Sequence, residues 1–229
     1  MLILISDAFD ASLPEKLKPF GEVTTDKNRL GEAHVVLVRS KTKCTKEYID
    51  QAVNLKLIIR GGVGIDNIDK AYADSKGIIV RNTPKSSAIA VAELAFALML
   101  STPNNLVAYH NGMKRGEWLK NLKRTELYGK TLCLFGIGNI ASKVAERAKA
   151  FGMTVVAFDK YVSSSPLARM VPTAEEAVAD ADYISLHLPL TDETRGMVNE
   201  KLISHCKKQP VVINTGRGLC VDADDMVAA

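Results

Sequence analysis

The run Thr131-Leu-Cys-Leu-Phe135 leads straight into Gly136-Ile-Gly-Asn-Ile-Ala141, and the reading of this stretch decides the fold. An apolar run without alternation suits a strand buried on both faces of a parallel sheet. A helical pattern follows over 141–150, a second apolar run spans 154–158, and Asp159 ends it. Strand, glycine turn, helix, strand and acid stand in the order that suits a dinucleotide. The glycines let the backbone approach a pyrophosphate, a helix N-terminus faces it, and the acid accepts from ribose hydroxyls. Glycines alone are weak evidence, but the strand before them, the helix after and the acid beyond supply the context the motif needs. The stretch predicts a bound nicotinamide cofactor. A glycine-rich strand-to-helix turn without a ligand is the plain alternative.

The same alternation extends in both directions. Downstream, helical patterns over 174–179 and 200–206 separate strands over 183–188 and 211–215. Upstream, 88–100 reads as a helix apolar nearly all round, followed by Pro103 and a polar segment through Lys130. Before it, strands over 2–6, 35–38, 57–60 and 78–80 alternate with helical patterns over 14–20, 46–53 and 69–76. The fold class expected is α/β: two doubly wound parallel-sheet domains, at 1–84 and 85–229. The second offers four strands, fewer than a full dinucleotide fold, and 222–229 opens a helix without a terminator. Its C-terminal part is therefore expected to be missing.

Composition narrows the function classes. The chain has 229 residues, enough for one large domain or two small ones, with the 47% hydrophobic content of an ordinary soluble protein. Its net charge is +4, but the basic residues are scattered. The densest group (Lys114, Arg115, Lys120, Lys123 and Arg124) is interleaved with Glu117 and Trp118, which suits a solvated surface rather than a nucleic-acid patch. Cys44, Cys133, Cys206 and Cys220 show neither metal spacing nor a paired framework, so free thiols in a reducing compartment are expected. The N-terminal apolar run is too short for a leader, and the helix over 88–100 carries Glu93 and is too short to span a bilayer. A cytoplasmic protein without a membrane or nucleic-acid partner is expected.

Five segments resemble the D-isomer-specific 2-hydroxyacid dehydrogenase family. They are Arg60-Gly-Gly-Val-Gly-Ile-Asp-Asn-Ile-Asp69; Asn82-Thr-Pro84 with Val91-Ala-Glu-Leu94; Gly136 to Ala141; His187-Leu-Pro-Leu-Thr191 with Thr194; and Asn214-Thr-Gly-Arg-Gly218 with Val221-Asp222. They follow the family's order and cover nearly the whole chain. Val38-Arg-Ser-Lys-Thr42 resembles the phosphoglycerate dehydrogenase branch. The resemblance implies hydride transfer between NAD and a 2-hydroxy or 2-oxo acid, with 3-phosphoglycerate and 3-phosphohydroxypyruvate, at the entry to serine synthesis, as the first expectation. A hydroxypyruvate or glyoxylate reductase is the second. A non-catalytic NAD-binding regulator of the same fold is the rival from another class.

The resemblance also implies roles. Arg217 matches the catalytic arginine, whose planar fork suits a carboxylate and a polarised carbonyl; a structural ion pair is its bland reading. Gly61, Gly62, Val63 and Gly64 match the backbone cradle for the substrate anion, and Arg60 and Arg39 match cations that a phosphorylated substrate calls for. For the cofactor, Gly136, Gly138, Asn139 and Ile140 match the pyrophosphate turn and Asp159 the ribose acid that favours NAD over NADP. His187, Leu188 and Pro189 match the adenosine wall, with His187 read as a packed histidine, while Thr215, Gly216 and Arg217 lie by the nicotinamide. Departures are Ala141 for a third glycine, Asn139 for an arginine and Val63 for a cofactor-touching threonine. No metal is implied. The family's catalytic glutamate and histidine fall beyond residue 229 in its pattern, and His34, His110 and His205 match no catalytic position. A homodimer is implied, through the helix over 88–100 and the segment to Trp118, against the alternative of a helix buried within its own domain.

Overall fold

Fully apolar strands with helices between them cannot hide their faces except by stacking into helix–sheet–helix layers, and a computed structural model shows this twice. It describes residues 1–228; Ala229, the last residue of the helix and domain expected from the sequence, lies outside them. The chain divides into two units, Met1–Ser87 and Ala88–Ala229.

In the first unit the strands are β1 (Leu2–Ile5), β2 (Glu22–Thr24), β3 (Val35–Val38), β4 (Leu57–Arg60) and β5 (Ile79–Asn82). All pair in parallel, in the order β2-β1-β3-β4-β5. Between them lie α1 (Leu13–Leu17), α2 (Lys46–Gln51) and α3 (Lys70–Ser75), with 3-10 turns at Lys18–Phe20 and Lys27–Glu32. Thr45 and Asp69 cap α2 and α3 by accepting from the N–H groups of Tyr48 and Tyr72. Alternate strand residues feed two cores. Leu4, Val36, Val38, Ile58 and Val80 pack with Ile49 and Ala73 on one face; Ile3, Val35 and Leu37 pack with Leu13 and Leu17 on the other. Strand order reverses direction at β1 and β3, so the carboxyl ends of these two strands border the crevice where open α/β sheets take ligands.

The second unit begins with α4 (Ala88–Ser101) and α5 (Leu106–Lys114). It continues through β6 (Thr131–Phe135), α6 (Asn139–Ala150), β7 (Thr154–Phe158), β8 (Arg169–Met170), α7 (Ala174–Val178), β9 (Tyr183–Leu186), α8 (Glu200–Ile203), β10 (Val211–Asn214), a 3-10 turn at Gly218–Cys220 and α9 (Ala223–Ala228). Its parallel sheet runs β10-β9-β6-β7-β8, reversing between β6 and β9. Ala92, Ala95 and Met99 of α4 meet Ala141, Val144, Ala145 and Ala148 of α6 over one sheet face. Small residues at this seam let the backbones close up, which is why alanine serves at 141, where it is fully buried. Phe135, Val156, Ile184, Val178 and Leu202 fill the other face. Among the described residues no single helix is long and apolar enough to cross a membrane.

Three elements were not expected from the sequence. β2 and β8 are short, carry Glu22 and Arg169, and pair on one side only, so they have no apolar run to betray them. α5 hides in the segment read as polar: it starts after Asn105 in the left-handed conformation (φ 53°) and contains Gly112. That glycine is used for packing, since a Cβ there would lie 2.8 Å from Leu119 Cδ1.

Candidate functional site

In the first unit, Asp7 follows β1 and organises the loop after β3. One carboxylate oxygen accepts the Arg39 N–H at 2.6 Å and the Thr42 N–H at 3.2 Å; the other accepts the Thr42 hydroxyl at 2.7 Å. Burial raises the Asp7 pKa, but these hydrogen bonds outweigh it and hold the carboxyl below its ordinary value. Asn67 closes the same loop from the other side, donating to the carbonyls of Arg39 (2.8 Å) and Thr42 (2.6 Å). The Arg39 guanidinium is exposed and touches the Ala8 carbonyl at 3.4 Å.

Strand register brings Arg39 to the glycine loop. Val38 pairs with Arg60, so the next residues, Arg39 and Gly61, leave the sheet side by side. A Cβ on Gly61 would lie 2.6 Å from Phe9 Cε1 and 3.6 Å from Arg39 Cγ. At Gly62 (φ 147°) a Cβ would overlap the Arg60 guanidinium, which comes close to that backbone. The Gly61 N–H is bound to the Val38 carbonyl (2.9 Å) and the Gly62 N–H to the Thr83 hydroxyl (2.9 Å). The cradle donors left to an anion are therefore the N–H groups of Val63 and Gly64, and Asn82 steadies Val63 by donating to its carbonyl at 2.5 Å.

In the second unit, the glycine turn sits where β6 feeds α6. Gly136 has φ 87°, and a Cβ there would come within 3.1 Å of Leu188 Cδ2 and 3.2 Å of the His187 carbonyl, so only glycine fits. Gly138 is the N-cap of α6 and offers no side-chain cap; a Cβ there would meet nothing within 4 Å. The space over Gly138 and the first-turn N–H groups of α6, Asn139 and Ile140 among them, thus form an uncovered anion cradle. Asp159, at the end of β7, accepts the Ile137 N–H at 2.9 Å with one oxygen and the Tyr161 (2.8 Å) and Val162 (3.1 Å) N–H groups with the other.

A pocket of about 460 Å³ lies over these strand ends, and Gly136, Gly138, Asp159, His187, Leu188 and Pro189 all line it. Asn139 and Ile140, at the start of α6, and Thr215, Gly216 and Arg217, in the turn after β10, adjoin the pocket rather than line its wall. The His187 ring accepts from or donates to the Ser185 hydroxyl through Nε2 (2.9 Å), while its Nδ1 is buried without a partner. Burial pushes its pKa down to about 4, so the ring is neutral near pH 7. Register sets Asn214 beside Leu186, hence Thr215 beside His187, and the Thr215 hydroxyl is likewise buried without a partner. Asn214 clamps the turn that carries Arg217: its Oδ1 accepts the Gly216 N–H at 2.9 Å and its Nδ2 donates to the Arg217 carbonyl at 2.8 Å. The open cradle at Gly138, the Asp159 carboxylate at the end of β7 and the two unpartnered polar atoms fit a dinucleotide laid across the β6–β9 switch point.

Asp7, Asn67, Thr83 and Asn214 were given no role from the sequence, although Asn67, Thr83 and Asn214 stand inside the segments quoted for the family resemblance. Each acts on the backbone of a neighbouring turn. Lys160 and Glu193, which also line the pocket, pair at 2.5 Å, and the Glu193 hydrogen bond holds the Lys160 ammonium above its ordinary pKa. Among the described residues no group of three or more His, Cys, Asp or Glu side chains could hold a metal ion.

The chain is similar to known proteins. The family described as D-isomer specific 2-hydroxyacid dehydrogenase, NAD binding domain, matches residues 96–229. A D-3-phosphoglycerate dehydrogenase of Methanocaldococcus jannaschii is 40% identical over 233 residues, covering 96% of this chain and 44% of the relative. A hydroxypyruvate reductase of Thermotoga maritima is 43% identical over 194 residues, covering 84% of this chain and 63% of the relative. The chain thus spans about half the length of these curated relatives. The solved D-lactate dehydrogenase of Aquifex aeolicus, complexed with NAD and lactic acid, superposes with a TM-score of 0.87 at 32% identity, over 100% of this chain and 73% of its own.

Proposed function

The chain belongs to the D-isomer-specific 2-hydroxyacid dehydrogenase family, whose NAD-binding domain it contains, and we propose that it interconverts 3-phosphoglycerate and 3-phosphohydroxypyruvate. The observation that carries this reading is the loop fixed by Asp7 and Asn67, which holds Arg39 beside Gly61 at the ends of neighbouring strands. With Arg60 against Gly62, two guanidinium groups flank one anion cradle.

NAD, held by Gly138, the start of α6 and Asp159, would supply hydride-transfer chemistry when bound. The chain's residues do the rest. Gly138 and the start of α6 receive the pyrophosphate, and Asp159 accepts from a ribose hydroxyl while keeping the glycine turn in shape. In the second unit, Arg217, oriented through Asn214, is suited to a carboxylate and a polarised carbonyl. In the first unit, the N–H groups of Val63 and Gly64 are suited to an anionic oxygen, and Arg39 and Arg60 to a phosphate. His187, partly buried and neutral, is assigned no proton transfer.

Changing Arg39 to Ala tests the substrate. The KM for 3-phosphohydroxypyruvate is expected to rise about tenfold or more and that for hydroxypyruvate to stay within about twofold; equal effects would refute the phosphorylated substrate. The second reading, a hydroxypyruvate reductase like the Thermotoga maritima relative, is favoured by the exposure of Arg39. A second copy of the chain is the proposed partner, through the exposed Ile89, Leu94 and Leu98 of α4, Leu106 and Val107 of α5, and Trp118. Free Cys44, Cys133, Cys206 and Cys220 support a cytoplasmic setting.

A further inference from the structure

Lys160 directly follows the ribose acid Asp159, the position from which a cation would reach a phosphate on the ribose 2′-oxygen. Its ammonium is instead held by Glu193 Oε1 at 2.5 Å. Glu193 comes from the loop after β9, and that loop is closed on itself. The Thr194 hydroxyl donates to the Pro189 carbonyl at 2.7 Å and accepts the Thr191 N–H at 2.8 Å. Asp159, Lys160 and Glu193 all line the same pocket. Both partners of the pair are more than half exposed, so it adds little to folding and calls for another explanation.

Charge supplies one. Asp159, Lys160 and Glu193 together carry one net negative charge, and without Glu193 they would carry none. A ribose 2′-hydroxyl is indifferent to that difference, whereas a 2′-phosphate of nearly two negative charges is not. We propose that the Lys160–Glu193 pair is a cofactor-selectivity element. Glu193 withholds the Lys160 ammonium from a 2′-phosphate, leaving the repulsion from Asp159 unopposed, and so turns NADP(H) away. On this account Lys160 is a latent phosphate ligand, and Asp159 is only half of the discrimination.

The test is calorimetric titration of the intact protein with NADH and with NADPH at low and high salt. The proteins compared are the wild type, Glu193→Gln, Lys160→Ala and the double variant. Glu193→Gln is expected to raise NADPH affinity relative to NADH about fivefold at low salt, the scale of one exposed charge pair. The gain should shrink at high salt, where exposed charges are screened. The double variant should lose the gain, because Lys160 is the group that Glu193 releases. An unchanged NADPH-to-NADH ratio in Glu193→Gln, or a gain that survives in the double variant, would overturn the proposal. Failure of the wild type to bind NADH would instead overturn the cofactor site itself, and this inference with it. Thermal unfolding should be the same for all four proteins, since the altered side chains are exposed.

Discussion

The carboxylate of Asp159 accepts the Ile137 N–H at 2.9 Å, so the acid that ends β7 also sets the shape of the glycine turn that ends β6. Its second oxygen holds the two backbone N–H groups that follow the strand. One side chain thus links the end of β7 to the glycine turn, the proposed ribose and pyrophosphate positions. Cofactor preference at this residue cannot be altered without disturbing the turn.

Asp159→Ala is therefore expected to cost more than one ribose hydrogen bond. NADH affinity should fall by about a hundredfold, the scale of losing a charge-assisted bond together with an ordered turn, without a compensating gain for NADPH. Amide exchange at 136–140 in the cofactor-free protein should speed up. Slow, unchanged exchange there would show that Asp159 does not hold the turn.

Gly136 and Gly138 should separate folding from binding. Gly138→Ala places a methyl in open space at φ −73°, so stability should change by less than about 0.5 kcal/mol. NADH affinity should drop about tenfold or more, equivalent to about 1.4 kcal/mol. Gly136→Ala forces a methyl toward Leu188 at φ 87°, and should lower stability by about 1–3 kcal/mol. Denaturant unfolding and NADH titration of both variants check this. Undiminished NADH binding by Gly138→Ala would favour a glycine turn that serves no ligand.

Asn214 is expected to matter to turnover rather than to folding. Asn214→Ala frees the Gly216 N–H and the Arg217 carbonyl, and a misplaced guanidinium should lower kcat/KM by about a hundredfold. Asn214→Asp keeps the acceptor for Gly216 and loses the donor to Arg217. If positioning of Arg217 is the role, steady-state kinetics should give Asn214→Asp an intermediate loss; wild-type kcat/KM in either variant would remove that role.

His187 gives a pH dependence of stability. Its folded pKa of about 4 lies below the ordinary 6.5, so the unfolded state binds more protons between those values. Stability is unaffected by this group above pH 6.5 and falls as pH drops toward 4, by up to about 3 kcal/mol. Urea unfolding from pH 7 to 4.5 should show this slope in the wild type and a weaker one in His187→Asn. Identical slopes would mean that the ring is not held neutral.

The strands were legible where an unbroken apolar run marks an interior strand: 35–38, 57–60, 131–135 and 154–158 were read residue for residue as β3, β4, β6 and β7. Two of the four edge strands, β2 and β8, were not legible, because they bury too little to need apolar runs. The glycine turn and Asp159 were readable from order and spacing along the chain. Asp7, Asn67 and Asn214 were not, since their work is to hold backbone in turns whose proximity only the folded sheet creates: Asp7 meets Thr42, and Asn67 meets Arg39. The division of the cradle's N–H groups between structure and ligand also needed coordinates, because Thr83 reaches Gly62 only through the pairing of β4 and β5.

The most direct measurement is kcat/KM of the intact protein with NADH for 3-phosphohydroxypyruvate and for hydroxypyruvate, side by side. The account predicts a preference for the phosphorylated acid of about tenfold or more, the contribution of a charge-assisted contact to its phosphate. Equal values, or a preference for hydroxypyruvate, would contradict it and assign the Arg39 loop to something other than phosphate recognition.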